Sequence, residues 1–233
     1  MIWMFSGSTI TKLASLSLGA VLLRGPLNTP DTWIMGQSQF QPPAATIWSG
    51  AASLQKLPAA LHDDARGVVL DLEHWRFTPV AEQSHPVQTY EQAATEAKRY
   101  GKWLMATPSL NLFHKRPLAD AYLRSRIAYR IAPYVRAYDI QAQGLERNPA
   151  RYAHFVSQVA QQLRAANPRI VMVAGISVNP GGAPVTLPEL QRDIVLTRGM
   201  VQGYWLAIPS RARGAPPRVA LAARLLQTAL AKD

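Results

Sequence analysis

Asp71 and Glu73 stand two residues apart at the end of the apolar run Val68–Glu73. In an extended strand this parity puts Val69, Asp71 and Glu73 on one face and Leu70 and Leu72 on the other. Two carboxyls on an enclosed face are costly to bury without a use. Each raises the other's pKa, so one can stay protonated and donate. That chemistry is general acid–base catalysis, with Glu73 as the acid/base and Asp71 tuning it. The other use for such acids is an ion pair with an arginine or a helix cap. Because Asp71 and Glu73 share one strand edge, they cannot flank a substrate from opposite sides. A partner carboxylate must come from elsewhere, and Asp139 or Glu146 is the candidate. Asp139, Gln141 and Gln143 share parity in the next polar–apolar alternation, while Tyr138, Ile140 and Ala142 face the other way. That strand reads either as the lining of a site or as a hydrogen-bonded polar layer. In the first case Asp139 is the second carboxylate or orients the substrate.

Further groups gather at other strand ends: Thr107, Ser109 and Asn111, then Ser177 and Asn179, then Tyr204 and Trp205, with Trp48, His74 and Trp75 nearby. Aromatic faces beside amides and carboxylates suit a sugar, whose C–H face packs on rings while its hydroxyls hydrogen-bond. The expected substrate-binding set is Gln141, Gln143, Ser177, Asn179, Tyr204, Trp205, Trp48, Trp75 and Asn111. A covalent mechanism would need the two working carboxyls about 5–5.5 Å apart, and an inverting one roughly 6.5–9.5 Å. A metal centre built on Asp71, Glu73 and His74 is not expected, since His74 has the opposite parity and no His-x-x-x-His pair exists. There is no cysteine, no Gly-x-Ser-x-Gly elbow and no Gly-x-Gly-x-x-Gly turn. The expectation is therefore no metal and no cofactor.

The elements that must position these groups alternate strand with helix. Six apolar strands follow residue 44: Ala45–Trp48, Val68–Glu73, Trp103–Thr107, Val135–Gln141, Ile170–Ile176 and Val201–Ile208. Ile2–Phe5, with Ala20–Leu23 or Thr32–Met35, supplies two more. Between them, Thr89 and Gln92 spell a capping box for a helix ending at Gly101, and a helix is expected over Leu118–Ala132. Asn148-Pro149 opens another, whose Tyr152, Phe155, Val156, Val159 and Leu163 fall on one face. Thr186 and Glu189 cap a helix to about Arg198, and Val219–Ala231 is the last. Near-continuous apolar strands alternating with helices point to a parallel sheet covered by helices. The expected fold is an α/β class (β/α)8 TIM-type barrel forming one domain over 1–233, with an open doubly wound sheet as the other arrangement.

The chain carries 25 Lys and Arg against 14 Asp and Glu, a formal net charge of +11 over 233 residues. Residues 98–169 hold 13 of these cations against Asp120, Asp139 and Glu146. This reads as a solvated basic surface or as attraction to an acidic polymer. Aromatics are not interleaved with the cations as a base-stacking platform requires, which argues against nucleic acid as a partner. The partner expected is a small-molecule or glycan substrate. Leu13–Leu23, between Lys12 and Arg24, is too short to span a bilayer; Met1–Ile10 lacks the basic n-region of a signal peptide, and no Ala-x-Ala site follows. A signal sequence upstream of Met1 would make the protein secreted; otherwise it is expected in the cytoplasm. Nothing in the sequence reports an oligomeric state.

Four stretches together carry a resemblance: Leu70-Asp71-Leu72-Glu73-His74-Trp75 with Thr78-Pro79, Tyr138-Asp139-Ile140-Gln141-Ala142-Gln143, Ala174-Gly175-Ile176-Ser177 with Asn179-Pro180, and Gly203-Tyr204-Trp205-Leu206 with Ile208-Pro209. As a set they resemble a family of uncharacterised bacterial proteins, often exported, that share a glycosidase-type barrel. The resemblance covers about residues 45–209 and implies the fold more than the reaction. At one position it departs, with Ala207 where the family has a polar amide. More loosely, Asp71 and Glu73, Tyr138-Asp139 and Trp205 are similar to the acidic strand, Tyr-Asp strand and late tryptophan of chitinase-like glycosidases. Val69 occupies the place of an earlier acid in that motif.

Overall fold

The computed structural model describes residues 1–113, 116–180, 184–209 and 215–231. Eight strands, β1 (Ile2–Ser6), β2 (Thr32–Met35), β3 (Thr46–Ala51), β4 (Gly67–Leu70), β5 (Trp103–Ala106), β6 (Ala137–Ile140), β7 (Val171–Ser177) and β8 (Gly203–Ala207), close into a barrel in chain order. The pairing of β8 with β1 is parallel, Trp3 opposite Tyr204, and it rules out an open doubly wound sheet. The expected α/β (β/α)8 barrel is the fold. Of the two candidates for the second strand, Thr32–Met35 fills the place, with Trp3 opposite Thr32. Ala20–Leu23 instead lies in a helix, α2 (Ser17–Arg24), after α1 (Gly7–Ala14). The burial of Gly19, Leu22 and Leu23 follows helical spacing, and Val21 between them is 57% exposed.

Contacts divide the chain into two compact units. The first comprises residues 1–47, 142–154 and 174–233. Here α1 is capped by Ser6, whose hydroxyl accepts from the Thr9 N–H at 3.2 Å. The expected capping box of Thr186 and Glu189 opens α9 (Leu187–Thr197), and α10 (Ala215–Leu230) follows. Trp3 and Tyr204 pack ring to ring at 5.7 Å. The Tyr204 hydroxyl donates to the Ile194 carbonyl at 3.0 Å and meets Thr197 at 2.9 Å, both on α9. Tyr204 is thus fully buried against the helix layer, which removes it from the expected sugar-binding set. Its neighbour Trp205, on the opposite parity, keeps partial exposure.

The second unit comprises residues 48–141 and 155–173. It holds α3 (Leu57–Leu61), α4 (Val80–Ser84), α5 (Pro86–Arg99), α6 (Leu118–Ser125) and α7 (Ile127–Ile131). The last helix to be labelled, α8 (Pro149–Ala166), buries the five apolar residues expected on its face. Helix α5 begins three residues before the expected cap. Pro86 takes the first turn, so Thr89 lies inside the helix and turns its hydroxyl back to the His85 carbonyl at 3.0 Å. Gly101 ends the turn after α5 with φ +63, as its position suggested. The single helix expected over Leu118–Ala132 breaks at Arg126, whose φ of 54 separates α6 from α7.

Trp48 was expected near the catalytic end, but it lies at the other. It pairs with Gly67, the first residue of β4, and its ring meets that of Trp103, the first of β5, at 6.2 Å. The site of the acids lies past the far end of β4, so Trp48 is core and not a sugar platform. Gly67 is what admits the ring. A Cβ there would come within 2.6 Å of the Trp103 carbonyl oxygen and 2.7 Å of the indole. Gly67→Ala is expected to destabilise the fold by about 1–3 kcal/mol, read as a lowered midpoint in thermal or urea unfolding.

Candidate functional site

In the second unit, the backbone ladder continues past β4. The Asp71 N–H donates to the Ala51 carbonyl at 2.8 Å, and the Ser109 N–H donates to Leu72 at 3.0 Å. Tyr90 of α5 braces this point from behind: its hydroxyl donates to the Leu70 carbonyl at 2.9 Å and accepts from the Thr107 N–H at 3.2 Å. Leu72 is buried, while Asp71 and Glu73 keep partial exposure, as the parity reading requires. Asp71 Oδ1 accepts from the Thr107 hydroxyl at 2.9 Å and from Gln141 Nε2 at 3.4 Å. The Gln141 amide also donates to the Thr107 carbonyl at 3.0 Å, which fixes its orientation. Glu73 Oε2 accepts from Asn111 Nδ2 at 3.3 Å, and Asn111 Oδ1 accepts from the His74 N–H at 2.7 Å.

All these partners are neutral. Burial, and then the Glu73 charge, push the Asp71 carboxyl up to about 7 against the bonds from Thr107 and Gln141. Burial also raises Glu73, opposed by Asn111. Asp139 is 1% exposed, and its Oδ1 has no hydrogen-bond partner among the described residues. Burial, and then the Asp71 charge, hold it well above the usual carboxylate range. Its neighbour Tyr138 turns the other way, onto the Tyr122 hydroxyl of α6. Asp139 therefore sits inside beside Asp71 with its protonated form favoured, and not as an open second carboxylate.

The loop after Glu73 is held by two side chains. Thr78 is 2% exposed; its hydroxyl donates to the Ala52 carbonyl at 2.8 Å and accepts from the Trp75 indole N–H at 2.7 Å. The Gln83 amide donates to the Trp75 and Thr78 carbonyls at 3.0 and 2.6 Å, and its oxygen meets His74 Nδ1 at 2.6 Å. Trp75 remains 36% exposed, edge-on to Phe77 at 5.1 Å. Tyr90 and Gln83 were not legible as site residues. Tyr90 reads as one more apolar position on a helix, and Gln83 as surface.

In the first unit, Glu146 is fully buried and clamped by backbone. Its Oε1 accepts from the Ser177 N–H at 2.8 Å and its Oε2 from Gly144 at 2.6 Å, where φ is +100. It holds a loop together and offers no open carboxylate edge. Gln143 lies flat over Gly175, where a Cβ would come within 2.4 Å of its amide. The Ser177 hydroxyl accepts from the Asn179 N–H at 3.2 Å. Asp193 on α9 is fully buried with neither carboxyl oxygen bonded among the described residues. Burial, and then Glu146 and Glu189, raise it to about 8.

No family model matches the chain, and no curated protein matches its sequence. Solved structures do. The C-terminal domain of a putative chitinase from Desulfitobacterium hafniense DCB-2 aligns with TM-score 0.51 and 10% identity over 99% of each chain. The YdjI aldolase from Escherichia coli K12 aligns with TM-score 0.52 and 10% identity over 97% of this chain and 89% of its own. A Schiff base forming fructose-1,6-bisphosphate aldolase aligns with TM-score 0.52 and 9% identity over 96% and 94%. Identities this low establish the barrel fold and nothing finer. Among the described residues no helix is long and apolar enough to cross a membrane.

The buried acids give stability a pH dependence. Asp193 is raised to about 8 in the folded protein, and Glu146 to about 7. In the unfolded chain both titrate near about 4. Between those values the folded state holds protons that the unfolded chain has lost, so stability falls as pH rises from about 4 to 8. Urea unfolding at pH 5 and pH 8 is expected to show this loss. Asp193→Asn should lessen it, with Glu146 and Asp71 still contributing, and be the more stable chain at pH 8, by about 1–3 kcal/mol.

Proposed function

We propose that this barrel is glycosidase-like and cleaves a carbohydrate by carboxylate acid–base chemistry, with Glu73 as general acid/base and Asp71 as its tuning partner. The observation that carries the reading is the Asp71–Glu73 pair. Two carboxyls stand at a strand end, held by neutral groups, with Asp71 poised at about 7. A carboxyl that titrates near the working pH can both give and take a proton. Asn111 orients Glu73, Thr107 and Gln141 orient Asp71, and the exposed face of Trp75 offers a sugar platform on the same loop. The chitinase-like neighbour fits this reading, although aldolases share the fold as closely. Schiff-base chemistry has less support here. Lys12 and Lys98 lie on helices, and Lys56 and Lys102 in loops, so no described lysine stands on a barrel strand.

One observation favours a second reading, a barrel that binds a glycan without turning it over. Asp139 and Glu146, the two candidates for a second working carboxylate, are both enclosed. A panel of chromogenic glycosides separates the readings. An enzyme should turn over at least one of them, and Glu73→Gln should cut kcat/KM by about 10²–10⁴ while leaving binding intact. A pure binder should show no turnover and equal affinity in both proteins.

The pH profile tests the pair itself. After burial, it is the Glu73 charge that raises Asp71, so Glu73→Gln should let the Asp71 proton be lost at lower pH. An NMR titration of the Asp71 carboxyl should show that lower midpoint in the variant. An unmoved midpoint would show that the two carboxyls do not sense each other.

A further inference from the structure

We propose that a cleft at the strand-start end of the second unit, opposite the acids, binds a soluble anion with linked phosphate groups, gripped by two guanidinium groups that Trp103 holds in place. Such a site is independent of the proposed carbohydrate chemistry.

Asp71 and Glu73 follow the last residue of β4, whereas these cations stand just before strands begin. Arg66 precedes β4, Lys102 precedes β5 and Arg136 precedes β6. The parallel pairing of β4, β5 and β6 brings all three to one rim. There the Arg66 guanidinium lies 4.3 Å and the Arg136 guanidinium 5.2 Å from the Trp103 ring centroid. Two like charges are gathered by one indole, whose π electrons attract each of them. A contact of this kind uses none of the guanidinium N–H donors. Neither guanidinium makes a hydrogen bond or ion pair among the described residues, so both donor forks stay open.

Trp103 and Arg136 line a cleft of about 540 Å³, with Lys98, Lys102 and Tyr134 beside them. That size lies within the range of roughly 300–1,000 Å³ found for specific ligand sites. Its three lining cations meet one lining carboxylate, Glu91. Glu91 stands seven residues before Lys98 on α5, about 10 Å along the helix, so the positive charge collects at the far end of the cleft. Lys102 Nζ donates to the Asp63 and Ala65 carbonyls at 2.7 and 2.6 Å, which fixes the ammonium without neutralising it. The nearby acids are spent or apart. Glu96 pairs with Arg99, Asp63 Oδ2 accepts from the Ser49 hydroxyl at 2.7 Å, and neither Asp63 nor Asp64 forms an ion pair with Arg66.

A compact polyvalent anion suits this cluster. A guanidinium meets a phosphate through two parallel bonds, and an ammonium adds a point charge. Linked phosphates put several charges within one cleft, where spaced carboxylates would not. Nucleic acid fits less well, because Arg66 and Arg136 already occupy the ring on which a base would stack.

Calorimetric titration with tripolyphosphate tests this, at about 0.15 M salt so that loose surface attraction is screened. The expected result is saturable binding at one site, weakened roughly tenfold by Arg136→Gln and by Arg66→Gln. Arg124→Gln, an equal charge change on the exposed face of α6, should leave it unchanged. Tricarballylate and a short oligothymidylate should each bind at least tenfold more weakly than tripolyphosphate. Equal binding of either comparison probe would overturn the proposal, as would an equal loss in all three arginine variants or no saturable binding at all.

Discussion

Each of the two units buries carboxyl groups that have no ion-pair partner among the described residues. Asp71, Asp139, Glu146 and Asp193 are all enclosed or nearly so, and none is in an ion pair among the described residues. In a low-dielectric interior a lone carboxylate would be severely penalised, so each of these groups has its protonated form favoured. Neutral hydrogen-bond donors temper the penalty differently at each position. Glu146 recovers part of it from backbone N–H groups and becomes a strut. Asp71 recovers part from Thr107 and Gln141 and stays balanced between its two states.

The same sorting shapes the exterior. With several acids drawn inside, the arginines are left on the surface with few anions to meet them. The formal net charge of +11 therefore understates the outward character of the folded chain near neutral pH. Interior acidity and exterior basicity are two sides of one arrangement.

Much of the architecture was legible because period and punctuation agreed. The apolar face of α8, the Thr186–Glu189 capping box and Gly101 each pair a local pattern with one physical requirement, and all three are present. Parity also placed Asp71 and Glu73 correctly relative to Leu72. What failed needed knowledge of the third dimension. Tyr204 and Trp205 look equally suited to a sugar, but only alternation against α9 shows that Tyr204 faces the helices. Trp48 belongs to the end of the barrel where Gly67 leaves room, a fact set by register. Thr89 resembled a cap until Pro86 claimed the helix start. Tyr90 carries no pattern of its own, since its role comes from two backbone groups on different strands.

The Gln83 clip fixes one thing that distances alone leave open. Its amide nitrogen donates to two carbonyls, so its oxygen must be the partner of His74 Nδ1, and that nitrogen must carry a hydrogen. The neutral imidazole is thereby locked in the Nδ1–H tautomer, with its lone pair on Nε2. A side chain that looks like a loop fastener also decides which edge of the histidine donates and which accepts.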